Sequence, residues 1–390
     1  MIDVRSEIAE IAEEITELRH DLHMHPELSG EEHRTAAIIR GLLDSFGIKW
    51  RAVGGTGTYA EIDGAGEGES IMIRADIDAL PVTEKSRYGF PSKNDGVMHA
   101  CGHDVHTAAL IGAVKVLSKH RDRLCGKVKI VFQQAEESGH GSQYFINEGL
   151  AEDTDRIYGF HVSPYARLGK IVVVKGTDAA SCDRLTIRFT GKTSHITRPH
   201  LGADALAAAA DTALRLGRIH ELIDPMHRVL VGIGHINAGN TWNVVADSAV
   251  IDGSIRALSE AARADAIAAV RATAEKTAAY YGVTAEVETE LNAPCLINDP
   301  EAYKVMREAA AAVAGADNIP ETDVPFGYGA DDFAAFSQKI KGCFAHIGTA
   351  EDEEDTQLPL HSGSIYITDK AAAAGAELLT RCVLTHLERT

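Results

Sequence analysis

CDRLTIRFTGKTSHITRPHLGADALAAAADTALRLGRI, residues Cys182 to Ile219, opens on an alternation of apolar and polar side chains and closes on an alanine-rich run. The alternation predicts a strand over Arg184 to Thr190, because successive side chains of a strand point to opposite faces. The alanine-rich run predicts a helix over Ala203 to Ile219. Beyond it come two strands (Arg228 to Asn237 and Ala249 to Ala257), a helix (Glu260 to Tyr281) and a strand (Thr284 to Glu290). A β-α-β-β-α-β order of this length is a self-sufficient unit of small-domain size. Residues 181–291 therefore read as an inserted domain.

Outward from the insertion the rhythm changes. The start, MIDVRSEIAEIAEEITELRH, has apolar residues at helical spacing, Thr58 to Ile62 and Ser70 to Ala75 read as strands, and Val105 to His120 reads as a helix. A strand at Gly126 to Phe132, a helix at Gln143 to Gly149 and a strand at Ile157 to Val162 follow. After the insertion come a helix at Glu301 to Ala314, a strand at Cys343 to Ile347 and a last helix from Asp369 to Leu387. Such alternation predicts an α/β fold, a mixed and mostly parallel sheet flanked by helices. Its domain is discontinuous, covering 1–180 and 292–390. Two domains are also what 390 residues require, since single cores stop growing well before that length.

With 45% hydrophobic and 24% charged residues the composition is that of a folded enzyme rather than a disordered chain. A formal net charge of −19, with no lysine or arginine run, excludes nucleic acid and anionic membranes as expected partners. The amino-terminal stretch lacks the basic and continuously apolar regions of a secretory signal, and no apolar run is long enough to span a bilayer. Six cysteines scattered at Cys101, Cys125, Cys182, Cys295, Cys343 and Cys382 read as reduced thiols in the cytoplasm. The acidic run Glu351 to Asp355 reads as a solvated loop.

The segment richest in chemistry is GVMHACGHDVHTAAL, Gly96 to Leu110. Cys101 and His103 flank one glycine, so an extended turn can aim both the same way, and thiolate with imidazole suits a borderline-soft divalent ion. In VFQQAEESGHG a strand runs into the adjacent carboxylates Glu136 and Glu137; one could hold a metal while the other handles a proton. His161 closes the strand IYGFHV, and Asp76 and Asp78 follow the strand SIMIRAD. Open α/β sheets place their sites beyond the carboxyl ends of strands. Metal-competent groups at several such ends together point to one site.

RHDLHMHPELSGEE, IRADIDALP, GVMHACGHDVHTAAL, VFQQAEESGHG and YGFHV, in this order, resemble the M20 metallopeptidase clan over nearly the whole chain. The likeness is greatest to its amidohydrolase subfamily of aminoacylases, hippurate hydrolases, indole-acetyl-amino-acid hydrolases and aminobenzoyl-glutamate hydrolases. The resemblance implies two divalent ions (Mn²⁺ or Zn²⁺, with Co²⁺ or Ni²⁺ as substitutes) held by Cys101, His103, Glu137, His161 and, from LPLHSGS, His361. It implies Glu136 as general base and Asp78 as a support of the site. It makes the insertion a ferredoxin-like lid and dimerisation domain, hence a homodimer. GKTSHITRPH resembles that family's GKGGHAAxPH, so His195 is the residue expected to reach the partner's site and steady the oxyanion. NTWNVVAD and GSIRAL give Asn243 and Arg256 as substrate-binding residues, and GYGADDF gives Asp331 as wall or support. The chain departs from the pattern at Thr193, Ser194, Ile196, Thr197 and at Ala246, where the family has proline.

The expected reaction is hydrolysis of the amide of a small N-acyl amino acid. Divalent ions lower the pKa of water from nearly 16 to about 7, and a carboxylate then carries the proton to the departing amine. Dipeptide hydrolysis is the alternative within the same chemistry. A non-catalytic homologue that binds acyl amino acids is the alternative outside it, although a pure binder has no use for Glu136. A hydrolase using Cys101 as nucleophile would be indifferent to chelators.

Overall fold

Strands buried on both faces carry near-continuous apolar runs, and Ile71–Ile73, Ile130–Phe132 and Ile157–Phe160 are such runs, every residue buried. In the computed structural model, which describes residues 2–388, they lie side by side in an eight-stranded sheet. Met1, Arg389 and Thr390, at the ends of the expected 1–180 and 292–390 segments, lie outside the described residues. The strand order is Trp50–Val53, Gly57–Asp63, Cys125–Gln133, Gly66–Asp76, Arg156–Arg167, Lys341–Ala350, Ile171–Val174, Glu321–Thr322. The central four are parallel, and antiparallel strands extend them on both sides.

Register decides where the loops leave. Asp76 pairs with Gln133 at the ends of their two strands, so the chain after each emerges at the same edge of the sheet. His161 does not close its strand as expected; the strand continues to Arg167. The Gly66–Asp76 strand pairs with it only through Tyr158, while pairing with Lys341–Ala350 on the other side continues. His161 thus stands past the last pairing with one neighbour while still inside its own strand.

Helices cover the sheet. The expected first helix is two, Val4–Glu10 and Ala12–Met24, broken at Ile11, and a further helix, His33–Ser45, was not expected. His103–Lys119 is buried almost all round. Gly112 permits this, since a Cβ there would lie 2.6 Å from Ile15 Cδ1 and 3.1 Å from Ala376 Cβ.

The chain divides into two compact units, one running to Asp178 with Ile297–Pro325 and the segment from Ala335, the other comprising Ala179–Leu296 and Phe326–Ala334. The second has four antiparallel strands in the order Thr284–Ala293, Ser181–Thr190, Ser248–Ala257, Val229–Ala238. Two helices, Ala205–Leu216 and Glu260–Tyr281, bury Ala208, Ala209, Val270 and Ala274 against Leu185, Ile187 and Ile251 of that sheet. No helix among the described residues is long and apolar enough to cross a membrane.

Candidate metal centre

Gly102, at φ 87°, turns the chain into the His103–Lys119 helix, and a Cβ there would lie 2.5 Å from Val162 Cγ2. Cys101 and His103 therefore flank a position that only glycine fills. Around them the first unit gathers the side chains expected from sequence. One ligand atom each of Cys101, His103 and His161 lie within 4.8 Å of one another, as do those of Cys101, Glu137 and His361, and those of His103, Glu136 and Glu137. Cys101 Sγ is 3.4 Å from His161 Nε2 and 3.3 Å from His361 Nε2. Glu137 Oε1 is 3.4 Å from His361 Nε2 and 3.9 Å from His103 Nε2. Burial falls across the cluster, from a fully buried His103 to a His361 side chain that is 52% exposed.

The ring orientations are fixed by the nitrogens that face away. His103 Nδ1–H donates to Asp78 Oδ1 at 3.1 Å and His161 Nδ1–H to the Val162 carbonyl at 2.6 Å, leaving Nε2 of each as a lone pair turned to Cys101 and Glu137. Asp78 also accepts from the Glu137 amide at 3.0 Å and from Ser29 Oγ at 2.7 Å, so one carboxylate holds two of the donors. His106 is different. Its Nε2 accepts from the Val162 amide at 3.0 Å and its Nδ1–H donates to Asp76 Oδ1 at 2.6 Å, which leaves no lone pair. Asp76, held in turn by Arg74 Nη1 at 2.8 Å, has the role that sequence reading left unassigned: it orients a histidine that braces the His161 strand.

The set fits a divalent cation. His103 Nε2 and Glu137 Oε1 are buried with no hydrogen-bond partner among the described residues, a cost of about 1–3 kcal/mol each unless something pairs with them. Burial pushes the Cys101 thiol well above its ordinary range, with the Glu137 charge adding to the effect, and burial pushes His161 well below its own. His103 is desolvated too, yet Asp76 and Cys101 hold its pKa well up. Burial thus keeps a lone pair on His161 but opposes the Cys101 thiolate, and the charges around His103 favour a proton there; a cation among these groups favours the thiolate and a lone pair on both rings. One thiolate, imidazoles and carboxylates are donors for Zn²⁺ or a similar first-row ion.

The backbone is strained at the same place. Three described non-glycine residues have positive φ, and two of them are Ala135 (55°), just before the paired glutamates, and His361 (68°). Each costs roughly 1–2 kcal/mol. The His361 amide donates to the Ala100 carbonyl at 2.9 Å, tying the late loop to the Cys101 turn.

His195, Asn243, Arg256 and Asp331 belong to the second unit. His195 is exposed, and its Nδ1 accepts from the Thr197 amide at 3.2 Å, so Nε2 carries the hydrogen. Asn243 is half-buried beside it, with its carbonyl accepting from the Ile196 amide at 3.0 Å. Arg256 Nε donates to Ser254 Oγ at 3.0 Å. Asp331 Oδ1 accepts from the Phe333 amide at 2.8 Å, capping the short helix Phe333–Ser337.

The profile of peptidase family M20/M25/M40 matches residues 72–385. An N-acetyl-L-cysteine deacetylase of Bacillus subtilis (strain 168) is 36% identical over 351 residues, 89% of this chain and 83% of that protein. A thermostable carboxypeptidase 1 of Saccharolobus solfataricus is 32% identical over 379 residues, 96% of this chain and 95% of that one. The crystal structure of the Bacillus subtilis YXEP protein, described as a dinuclear metal binding peptidase from the M20 family, superposes with a TM-score of 0.84 at 33% identity, covering 97% of this chain and 98% of that one. Together with the two-unit fold and the gathered donors, these matches show that the chain belongs to peptidase family M20/M25/M40 and is a hydrolase of it.

Proposed function

We propose that the protein is a two-metal amidohydrolase that cuts the amide bond of N-acyl amino acids, with Glu136 carrying the proton. The observation that carries this reading is the convergence of Cys101, His103, Glu137, His161 and His361 beside Glu136. Cys101, His103 and His161 would hold one ion, and Cys101, Glu137 and His361 the other. When bound, Mn²⁺ or Zn²⁺ supplies Lewis acidity that brings the pKa of water from nearly 16 to about 7. Glu136 then removes the water's proton as it attacks and delivers it to the amine, which leaves badly unprotonated. Asp78 keeps His103 and Glu137 in place for the whole cycle. The likeness to an N-acetyl-L-cysteine deacetylase supports an acylated amino acid as substrate.

His195 suits the developing oxyanion because its Nε2 is a donor, and we assign it to the site of the other subunit of a homodimer formed through the second unit. Asn243 and Arg256 would take the amino acid's carboxylate, a contact that a chain of net charge −19 has to provide locally. The free state of all six cysteines supports a cytoplasmic location. Dipeptide hydrolysis is the second reading, favoured by likeness to a carboxypeptidase and to a metal-binding peptidase. Matched N-acetyl and free-amine substrates separate the two.

The test is a screen of hippurate, N-acetyl amino acids including N-acetylcysteine, indole-acetyl conjugates and aminobenzoyl-glutamate. It is run on chelator-treated protein with and without added Mn²⁺ or Zn²⁺, and on Glu136→Gln. Activity should return with metal, and Glu136→Gln should lose about 10²–10⁴-fold in kcat while binding metal normally. Equal rates for the variant, or activity indifferent to chelation, would sink the mechanism.

A further inference from the structure

Glu32 stands at the N-cap of the His33–Ser45 helix, where a carboxylate ordinarily accepts from the helix's own first amides. It does not do so here. That work falls to Glu27, whose Oε1 and Oε2 accept from the Arg34 and Thr35 amides at 2.9 and 2.8 Å. Glu32 is instead turned inward and is fully buried. Its Oε2 accepts from Thr56 Oγ1 at 2.6 Å, and its Oε1 accepts from the Gly30 amide at 2.9 Å and from the Ala135 amide, 103 residues on, also at 2.9 Å.

Ala135 is the residue held at φ 55°, and Glu136 follows it. On the far side of Glu136, the Glu137 amide is pinned by Asp78 Oδ2 at 3.0 Å. Glu136 therefore hangs between two amides, each fixed by a buried carboxylate. Asp78 also touches His103, so its clamp serves the metal donors. Glu32 touches none of them.

We propose that Glu32 is a positioning residue for Glu136: by accepting from the Ala135 amide it holds the left-handed turn that sets where the proton-carrying carboxylate sits. The inference rests on the reading of Glu136 given above. It separates two jobs within one loop, metal retention through Asp78 and carboxylate placement through Glu32. Because glycine adopts positive φ without strain, Ala135→Gly should make the turn less dependent on its clamp.

The experiment compares the metal-loaded full chain with Glu32→Ala, Glu32→Gln and the double variant Glu32→Ala/Ala135→Gly. It reads amide hydrogen exchange by peptide, bound metal per chain, and kcat and KM on an N-acetyl amino acid. For Glu32→Ala, exchange over residues 133–141 should rise by about tenfold or more while the Ile71–Ala75 strand exchanges as before. Metal content should stay near wild type, and kcat should fall about 100-fold with KM within about threefold, the signature of a displaced catalytic group. The double variant should recover a large part of kcat, and Glu32→Gln, which keeps one acceptor oxygen, should lie between wild type and Glu32→Ala. A uniform rise in exchange with unchanged kcat per folded molecule would overturn the proposal, because Glu32 would then only add stability. Loss of metal with normal kcat at saturating metal would overturn it as well. If Glu32→Ala does not fold, Glu32→Gln carries the test, and wild-type exchange over 133–141 with wild-type kcat refutes it. Should the wild type hydrolyse no N-acyl amino acid, the proposed reaction falls, and local exchange alone then decides whether Glu32 holds the turn.

Discussion

The donors around Cys101 and the candidate substrate contacts around His195 are held by different means. In the first unit, buried carboxylates do much of the holding, Asp78 for the His103 ring and the Glu137 amide and Asp76 for His106, while Arg19 and His23 each meet the buried Asp104 at 2.9 Å. In the second unit, backbone holds the strip. The Ile196 amide meets the Asn243 carbonyl at 3.0 Å and the Val245 amide meets the Ser194 carbonyl at 2.9 Å, while His195 itself lies exposed. Stability and chemistry are thus fused in one region and separable in the other, and substitutions should show it.

The largest effect is expected at Arg19, which no ligand touches. Its guanidinium is fully buried among Asp104, Asp369, the Tyr88 hydroxyl at 3.1 Å and the Ile367 carbonyl at 3.0 Å. Removing one partner of a buried ion pair strands the other, so Arg19→Ala should cost about 3–5 kcal/mol in a denaturant melt of the metal-free chain. A loss under about 1 kcal/mol would break the contrast at its root. His195→Ala comes next, with the opposite pattern. It should lower kcat by about 10²–10³, roughly 2.7–4 kcal/mol of transition-state stabilisation, with an unchanged melting curve. Should the melt shift as far as the activity, the second unit is no more separable than the first.

Asp78→Asn sharpens the comparison from within the first unit. An amide cannot accept from His103, Glu137 and Ser29 together, so metal affinity should fall about 10–100-fold in a competition titration against a chelator. An unchanged affinity would mean that His103 and Glu137 are placed by the fold alone.

The same contrast governs what could be read in the sequence. Metal-competent side chains announce themselves by type, so the segments HACGH and AEE that converge could be picked out, and so could the inserted β-α-β-β-α-β order from its periodicities. The carboxylates that hold those side chains could not, because an aspartate in a loop looks alike whether it meets water or a buried imidazole. Asp76 and Asp78, two apart at the end of one strand, were indistinguishable until register and distance assigned one to His106 and the other to His103. Glu32 did leave a trace. In helical spacing it shares a face with Thr35, Ala36, Ile39 and Leu43, all buried, and a carboxylate on an apolar face calls for a partner. The extension of the His161 strand to Arg167 had no local signal, since it depends on pairing with the Lys341–Ala350 strand far along the chain.

The smallest effect tests whether the second unit's own scaffold leaves the cluster around Cys101 untouched. Asp204 caps the Ala205–Leu216 helix, its carboxylate accepting from the Ala207 amide at 3.1 Å. With the acceptor gone, one orphan amide at the helix start turns to water. Asp204→Ala should therefore cost about 1 kcal/mol, and Asp204→Asn, which keeps an oxygen in place, should restore most of it. The helix buries Ala205, Ala208, Ala209, Thr212 and Leu216 in the second unit's own core, so a frayed first turn weakens that core and leaves the groups around Cys101 as they were. Melts should record the loss while metal content per folded chain stays constant. A fall in metal affinity in step with the melt would show that the two regions are one cooperative body, and the separation of chemistry from stability would then have to be sought within the second unit.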